Sequence, residues 1–247
     1  MNTDRSGLHY VITGGTGALG SAVVEQLLKT GAVCHIPTVD AKELGRFPYK
    51  DQCQIAERVE LTDEAAVESF FARFDGPKAP RLWASIHIAG GFAMSPVEAT
   101  SKADFVKLMQ TNALTCFLCS REAVKRMKSA QKRSAGGIGS SGGRIVNVAA
   151  RPGLIPELGA GMVPYTASKA AVAAITQSMA AEVAADGILI NAVVPSIMDT
   201  RANREAMPAA DHSKWPKVAE VAATICFLAS PDNTVTRGGL VPVYGRS

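Results

Sequence analysis

The sequence predicts one α/β domain over residues 1–247: a doubly wound sheet of about seven mainly parallel strands, with helices on both faces. Short runs rich in β-branched residues alternate with helix-periodic segments, which is the pattern of repeated strand–helix units. Several runs are almost continuously apolar, as strands covered on both faces are. A chain of 247 residues in this class need not divide into two domains.

Composition narrows the class of protein. The net charge is +4 without a concentrated basic stripe, so nucleic acid is not indicated as a partner. No apolar run is long enough to span a bilayer, and the polar N-terminus lacks the apolar core of a signal peptide, so we expect a cytoplasmic protein without a membrane partner. Five cysteines, mostly in apolar segments, suit reduced core thiols. The Cys-x-x-Cys spacing of Cys116 and Cys119 favours core packing over a metal site.

A glycine turn joins the first predicted strand, His9–Thr13, to the first predicted helix, Ser21–Thr30. Strand, glycine turn and helix are the context of a Rossmann-type dinucleotide site, because the helix N-terminus offers unpaired N–H groups to a pyrophosphate. A glycine turn without a ligand is the alternative. The expected cofactor-binding residues of the turn are Gly14, Thr16, Gly17, Ala18, Leu19 and Gly20.

The end of the second strand bears on which dinucleotide binds. We predict this strand over Gly31–Pro37, after which an acidic residue would bind the ribose hydroxyls of NAD. The residue at that position is Thr38, which we expect to contact the cofactor. Lys42 and Arg46 follow and can accommodate a 2′-phosphate, unless they are only solvated loop charges. The sequence therefore indicates NADP or NAD, with a slight preference for NADP.

The next two predicted strands are Arg58–Asp63 and Leu82–Gly91. The third strand ends at Asp63, which is expected to cap a helix over Glu64–Phe74. The fourth strand is nearly continuous in apolar residues, as a buried strand is. Small residues at its end let the backbone approach a ligand, and the expected cofactor contacts there are Ala89, Gly90 and Gly91.

A long helix is predicted over Ser101–Met127, with Asn112 near its middle. An asparagine in such a helix is either a local hydrogen-bonding defect or a functional kink. Small residues predict a flexible surface loop over 129–143, and the fifth strand follows at Arg144–Ala149. A loop rich in Gly and Pro, Ala150–Pro164, leads to the next helix.

Tyr165 and Lys169 stand at the start of a helix predicted over Tyr165–Ala185. Residues four apart lie on one helix face, so the phenol and the ammonium are brought to the same point in space. A nearby cation lowers the pKa of a phenol from about 10 towards the working pH, where proton donation is efficient. A half-exposed tyrosine beside a solvated lysine is the alternative.

The remaining predicted elements are a sixth strand at Ile188–Val194, a helix at Glu220–Ala229 and a seventh strand at Leu240–Tyr244. The polar segment over 195–215 is too irregular for core, so we expect it to cover the substrate. Within it, 198–214 is a candidate closing lid.

The assembled motifs resemble the short-chain dehydrogenase/reductase family over essentially the whole chain. They are Thr13–Gly20, Ala89–Gly91, Asn112, the Tyr165-x-x-x-Lys169 pair and Asn191–Pro195. The resemblance implies NAD(P)-dependent hydride transfer with Tyr165 as general acid, while Lys169 lowers its pKa and binds the nicotinamide ribose. It implies that Asn112 holds a proton-relaying water and that Pro195 and Thr200 contact the cofactor, Thr200 near the nicotinamide amide. It also implies a homodimer or homotetramer formed through the two long helices.

Ala150 departs from the family pattern. Most members carry a serine there, which steadies the developing oxyanion, and the loss of such a donor typically costs about 3–4 kcal/mol in the barrier. The stretch Pro195–Trp215 resembles that of dihydropteridine reductases, which also carry the alanine and reduce a quinonoid dihydropterin. We therefore expect a quinonoid or conjugated heterocyclic substrate that contacts Ala150 and Phe92. The alternatives are a ketone or alcohol oxidoreductase and a weakly catalytic dinucleotide-binding sensor.

Overall fold

The sheet has the predicted class. The computed structural model describes residues 4–133 and 142–247. Its strands are β1 His9–Thr13, β2 Val33–Thr38, β3 Gln54–Glu57, β4 Leu82–His87, β5 Gly143–Val148, β6 Ile188–Pro195 and β7 Leu240–Val243. They form one sheet in the order β3-β2-β1-β4-β5-β6-β7, and each neighbouring pair is parallel. The strand order reverses between β1 and β4, and such a reversal opens a ligand crevice at the carboxyl ends of the strands.

Helices cover both faces of the sheet. They are α1 Ala18–Leu28, α2 Ala41–Leu44, α3 Glu64–Phe71, α4 Lys102–Leu108, α5 Thr115–Arg133, α6 Arg151–Leu154, α7 Val163–Glu182, α8 Arg201–Ala206 and α9 Val218–Leu228. Side chains of β1 alternate between the two faces, as the pleat requires. Tyr10 and Ile12 pack with α1 and α9, whereas Val11 packs with α3, α5 and α7.

The predicted third strand, Arg58–Asp63, is wrong. The strand is Gln54–Glu57, which pairs with β2 at the edge of the sheet. Arg58 follows it with φ at 59°, a left-handed conformation that a strand does not contain, so the chain turns away there. Val59 and Leu61 are buried among side chains of α3 and α5. Their alternation with polar residues is the pattern that predicted a strand here.

A π-helical turn interrupts the helix predicted over Ser101–Met127. The hydroxyl of Ser101 caps α4 by accepting from the N–H of Asp104, and Met109–Leu114 form the π turn before α5 begins. Asn112 lies in this turn. The helix is therefore distorted at Asn112, and the functional role of this distortion stays a prediction.

Other predicted boundaries move because caps and turns, rather than apolar periodicity, end the elements. The first helix begins before Ser21, at the end of the glycine turn. The helix α7 begins at Val163, with Pro164 in the first turn, where the missing N–H costs nothing. The fourth strand ends at His87, so Ala89–Gly91 form a loop at its carboxyl end.

Three segments that were predicted to be loop or irregular contain helix. The loop predicted over 129–143 is wrong at both ends, because α5 continues to Arg133 and β5 begins at Gly143. Residues 134–141 lie outside the described residues. The loop predicted over 150–164 contains α6, and the irregular segment 195–215 contains α8.

A buried polar network ties the centre of the sheet to its helices. The ring of His87 on β4 contacts the Ser85 hydroxyl at 2.8 Å, the Asn147 carboxamide oxygen at 2.8 Å and the Ser120 hydroxyl at 3.1 Å. The amide of Asn147 then donates to the hydroxyl of Thr176 on α7 at 2.9 Å. Burial lowers the pKa of His87 to about 4, so the folded protein holds this ring neutral.

We expect the protein to lose stability as the pH falls from 6.5 towards 4. The folded pKa of His87 lies below its unfolded value, so proton binding favours the unfolded chain, and His87 contributes about 2 kcal/mol of lost stability between pH 7 and pH 5. Burial also lowers the pKa of His35, to about 3, which adds to the effect. Urea unfolding at both pH values measures it. His87→Gln should flatten the pH dependence, and an equal pH dependence in both proteins would contradict this account.

Candidate functional site

A cleft opens where the strand order reverses. Its outer part is a cavity of about 460 Å³. The predicted cofactor residues that line it are Gly14, Thr16, Gly17, Ala18, Leu19, Gly20, Thr38, Ala89 and Gly90. The structure therefore brings the glycine turn, the end of β2 and the loop after β4 together around one space. A cavity of this size falls within the usual range of small-molecule sites, about 300–1,000 Å³.

Two glycines make the turn possible. Gly14 has φ at +66°, and a Cβ there would lie 2.7 Å from the backbone nitrogen of Ala89. A Cβ on Gly20 would lie 2.0 Å from the carbonyl oxygen of Gly14. The first turn of α1 thus packs directly on the loop. Gly17 caps α1 without a side chain, which leaves the helix N–H groups available for a pyrophosphate, so the turn fits a dinucleotide.

The outer end of the cleft carries carboxylates. Glu43 of α2 accepts a hydrogen bond from the Thr16 hydroxyl at 2.5 Å, and Glu60 lines the same cavity. Sequence analysis missed both residues, because α2 is short and Glu60 lay within the misplaced third strand. Lys42 and Arg46, on which the preference for NADP rested, are exposed and are not among the lining residues.

The inner part of the cleft is a cavity of about 240 Å³ that shares Leu19, Ile88 and Gly90 with the outer part. The predicted site residues that line it are Gly91, Phe92, Ala150, Tyr165, Lys169 and Pro195. Tyr165 presents its ring edge-to-face to Phe92, with the ring centroids 4.9 Å apart and an interplanar angle of 81°. The candidate acid, the candidate substrate contacts and the cofactor turn therefore meet in one continuous cleft.

Burial sets the protonation of Tyr165 and Lys169. It raises the pKa of Tyr165 to about 12, whereas the sequence predicted that Lys169 would lower this pKa. The ammonium of Lys169 instead donates to the carbonyl oxygen of Val148 at 2.8 Å. Burial also lowers the pKa of Lys169 to about 8. At neutral pH the phenol therefore carries its proton, as a donor must.

The carboxamide of Asn112 is fully engaged by neighbouring groups. Its oxygen accepts from the N–H of Gly91 at 2.8 Å, and its nitrogen donates to the Gly91 carbonyl at 3.0 Å and to the Ser168 hydroxyl at 2.9 Å. The Ser168 hydroxyl donates in turn to the carbonyl of Tyr165 at 2.7 Å. Asn112 thus positions the loop after β4 against the start of α7. Its predicted role in holding a water stays a prediction.

Hydrogen-bond donors are scarce in the inner cavity. Ala150 brings no hydroxyl, and the hydroxyl of Ser196 donates to the carbonyl of Tyr244 at 2.9 Å. Thr200 lines neither cavity; its hydroxyl caps α8 by accepting from the N–H of Asn203 at 3.1 Å, and its predicted contact with a nicotinamide stays a prediction. Among the lining side chains, the donors that remain are those of Tyr165 and Lys169.

Within residues 4–133 and 142–247, no group of three or more His, Cys, Asp and Glu side chains is arranged to hold a metal ion. Across the same residues, no helix has both the length and the apolar character that a bilayer crossing requires.

Comparison with known proteins gives a consistent result. A family model described as short chain dehydrogenase matches residues 9–211. The chain is 30% identical to galactitol 2-dehydrogenase of Rhizobium johnstonii over 255 residues, which cover 96% of this chain and 93% of the relative. It is 28% identical to a 3-oxoacyl-acyl-carrier-protein reductase of Rickettsia bellii over 253 residues, covering 98% and 97% of the two chains.

Solved structures are similar throughout the fold. One is ElxO with NADP bound, which is 26% identical with a TM-score of 0.83, covering 96% of this chain and 97% of that one. Another is a putative gluconate dehydrogenase from Agrobacterium tumefaciens, which is 26% identical with a TM-score of 0.84, covering 99% and 97%.

We expect Glu43→Gln to raise the affinity for NADPH relative to NADH by about 10-fold, because it removes a negative charge from the cleft wall near the expected position of the 2′-phosphate. Fluorescence titration with NADH and NADPH, without substrate, measures the ratio. Glu57→Gln is the matched control, since Glu57 is exposed on β3 and does not line the cleft. An unchanged ratio in Glu43→Gln would place the 2′-phosphate elsewhere.

Proposed function

We propose that this chain, which belongs to the short-chain dehydrogenase family and is an NAD(P)-dependent oxidoreductase, reduces a quinonoid or conjugated heterocycle. Tyr165 is the proton donor in this proposal. When bound, the nicotinamide cofactor supplies the hydride. A quinonoid dihydropterin is the model substrate, because the segment 195–215 resembles that of dihydropteridine reductases. Protonation at a ring nitrogen then completes the reduction.

The absence of a hydroxyl at Ala150 carries this proposal. Carbonyl reduction concentrates negative charge on one oxygen, and a second donor beside the acid is worth about 3–4 kcal/mol to such a reaction. In a conjugated heterocycle the negative charge spreads over the ring and is taken up at a nitrogen, so a single donor is sufficient. Tyr165 is that donor in the inner cavity, and the Ser196 hydroxyl is already committed to Tyr244.

The walls of the inner cavity suit a flat ring. Phe92 stands edge-on to Tyr165, and Val148, Ala149 and Met198 complete an apolar lining. Aromatic side chains bind planar rings by stacking or edge contacts, which adds to the gain from apolar burial. A polyhydroxylated substrate would find few partners for its hydroxyl groups on these walls.

The charge states of the two catalytic candidates favour reduction. Tyr165, with a pKa of about 12, holds its proton and donates it to the substrate. Lys169 lies one helical turn further along α7 and lines the same cavity, so its ammonium would stabilise the phenolate that forms. Asn112 holds the Gly91 loop against α7 and so positions one wall of the cavity.

A ketone or alcohol oxidoreductase is the second candidate. The names galactitol 2-dehydrogenase and 3-oxoacyl-acyl-carrier-protein reductase describe alcohol and ketone chemistry in relatives at 30% and 28% identity. For this candidate a backbone N–H or a water would have to replace the missing hydroxyl at Ala150.

We also propose a homodimer or homotetramer that forms through α4, α5 and α7. Phe105, Val106 and Phe117 on the first two helices are 41%, 39% and 40% exposed, which is unusual for apolar side chains of this size unless a second subunit covers them. Light scattering of the protein and of Phe117→Arg tests this. A monomer in both cases would reject it. The cytoplasmic location stays a prediction.

We expect Tyr165→Phe to lower turnover by about 10²–10⁴-fold, because it removes the proton donor and keeps the ring that contacts Phe92. The dissociation constant for NAD(P)H should stay within about twofold, since proton donation contributes nothing to cofactor binding. Steady-state kinetics and fluorescence titration check the two quantities. Full activity in the variant would remove Tyr165 from the chemistry.

A substrate panel separates the two candidate functions. NAD(P)H oxidation is followed with quinonoid 6,7-dimethyldihydropterin and, in parallel, with a series of simple ketones. Fast turnover of the pterin and slow turnover of ketones is the expected result, because no hydroxyl stands at Ala150 beside Tyr165 to hold a carbonyl oxygen. Turnover of ketones alone would reject the heterocycle and leave the second candidate.

We expect Ala150→Ser to raise kcat/KM for ketones by about 10²-fold, because it supplies the missing oxyanion donor. Pterin turnover should change little. Ala160→Ser is the matched control, since it adds the same hydroxyl at an exposed residue that lines neither cavity. If ketone turnover fails to rise in Ala150→Ser, or rises equally in the control, the account of Ala150 is wrong.

A further inference from the structure

Cys34 and Cys53 lie opposite each other at the edge of the sheet. Cys34 is on β2, Cys53 directly precedes β3, and the next residue of each strand forms the ladder pair His35 and Gln54. Neighbouring strands lie about 4.8 Å apart. Two cysteines can be bridged when their Cα atoms lie about 4.4–6.8 Å apart, so this pairing is within reach of a disulfide.

The two thiols lie in the same apolar cluster and differ in burial and acidity. Both are free, and both pack in the apolar cluster beneath α1 and α9. Cys34 is fully buried, whereas Cys53 is half-buried. Hydrogen bonding with Cys53, together with burial, raises the pKa of Cys34, and hydrogen bonding with Cys34 lowers the pKa of Cys53. Cys53 is therefore the thiol that ionises first.

We propose that Cys53 and Cys34 form a site of reversible thiol oxidation, in which a peroxide converts the pair to an intramolecular disulfide. The Cys53 thiolate attacks one peroxide oxygen, the O–O bond breaks, and Cys53 becomes a sulfenic acid while the other oxygen leaves as water. The sulfur of Cys34 then attacks the sulfur of Cys53, a second water leaves, and the S–S bond forms. Two thiols lose two electrons and two protons to one hydrogen peroxide, giving two waters.

The other cysteines lack these features. Burial raises the pKa of Cys116 to about 12 and that of Cys226 to about 11, and it raises the pKa of Cys119 as well. All three are at most 5% exposed. A buried thiol with a raised pKa reacts slowly with peroxide, because the thiolate is the nucleophile. Cys34 shares this property, but it lies beside Cys53 and needs to react only with the oxidised sulfur of that neighbour. The other three cysteines therefore serve as internal controls for the reaction of Cys34 with Cys53.

The disulfide would close a loop that borders the cofactor cleft. The segment between the two cysteines contains Thr38, Val39 and Glu43, which line its outer end. Tying both ends of this segment restricts the unfolded chain, so the oxidised protein should melt several degrees higher than the reduced protein.

The first experiment treats the fully reduced protein with a small excess of hydrogen peroxide and then maps its peptides by mass spectrometry. The expected result is a linked peptide pair that contains Cys34 and Cys53, a fall of about 2 Da in intact mass for the two hydrogens lost, and recovery of both thiols on addition of dithiothreitol. Oxygen addition at Cys53 without a link, or a link to any other cysteine, overturns the proposal. This measurement requires no variant and no enzyme activity.

Two variants test the order of the steps. Cys34→Ser should stop at an oxidised Cys53 that dimedone traps as a sulfenic acid, because the resolving thiol is gone. Cys53→Ser should leave Cys34 reduced under the same peroxide, because Cys34 is buried and its pKa is raised. Cys226→Ser is the matched control, a change in the same apolar cluster that should leave disulfide formation intact. Equal peroxide reactivity of Cys34 and Cys53 in these variants contradicts the assigned roles.

Discussion

The site depends on the need to satisfy one buried carboxamide. Asn112 is 1% exposed, and a buried amide group without partners costs free energy of the order of a lost hydrogen bond, about 1–3 kcal/mol. Its partners are both backbone groups of Gly91 and the hydroxyl of Ser168. Movement of the β4 loop, the π turn or α7 away from the others would leave polar groups unpaired. This one side chain therefore holds three elements in the register that places Tyr165 beside the cleft.

The two ends of the cleft differ in electrostatic character. The inner end is apolar, and burial shifts both titratable groups towards their neutral forms, with the pKa of Tyr165 raised to about 12 and that of Lys169 lowered to about 8. The outer end carries the carboxylates of Glu43 and Glu60. A dinucleotide would therefore meet helix N–H groups along its pyrophosphate, carboxylates at one end and an apolar pocket that holds the Lys169 ammonium at the other. This division suits hydride transfer, which proceeds best where water is excluded.

The edge of the sheet carries the proposed thiol oxidation site, whose two cysteines are brought together by the pairing of β2 with β3. The sequence drew attention to Cys116 and Cys119 because of their spacing, but both are buried within one helix and separated from solvent. Cys34 and Cys53 are far apart in the chain and carry no motif. The pairing of β2 with β3 places them side by side, and an error of a few residues in the predicted third strand is enough to hide this contact.

Sequence analysis alone predicted the class of fold, the glycine turn and the helical pair of Tyr165 and Lys169, because strand–helix alternation, glycine-rich turns and the four-residue helix spacing are local properties. It also identified Ala150 as a departure from the family pattern, and the effect of that departure on the substrate stays a proposal. Contacts between distant segments are not contained in local sequence patterns, and they became visible only in the folded structure. Whether Val59 and Leu61 form a strand depends on which neighbours bury them, and the pKa of Tyr165 depends on surroundings contributed by distant segments. The same holds for the contacts of Glu43, of Ser168 and of the cysteine pair. Each contact forms only when segments remote in the chain pack together, because hydrogen bonds and burial depend on distance in space.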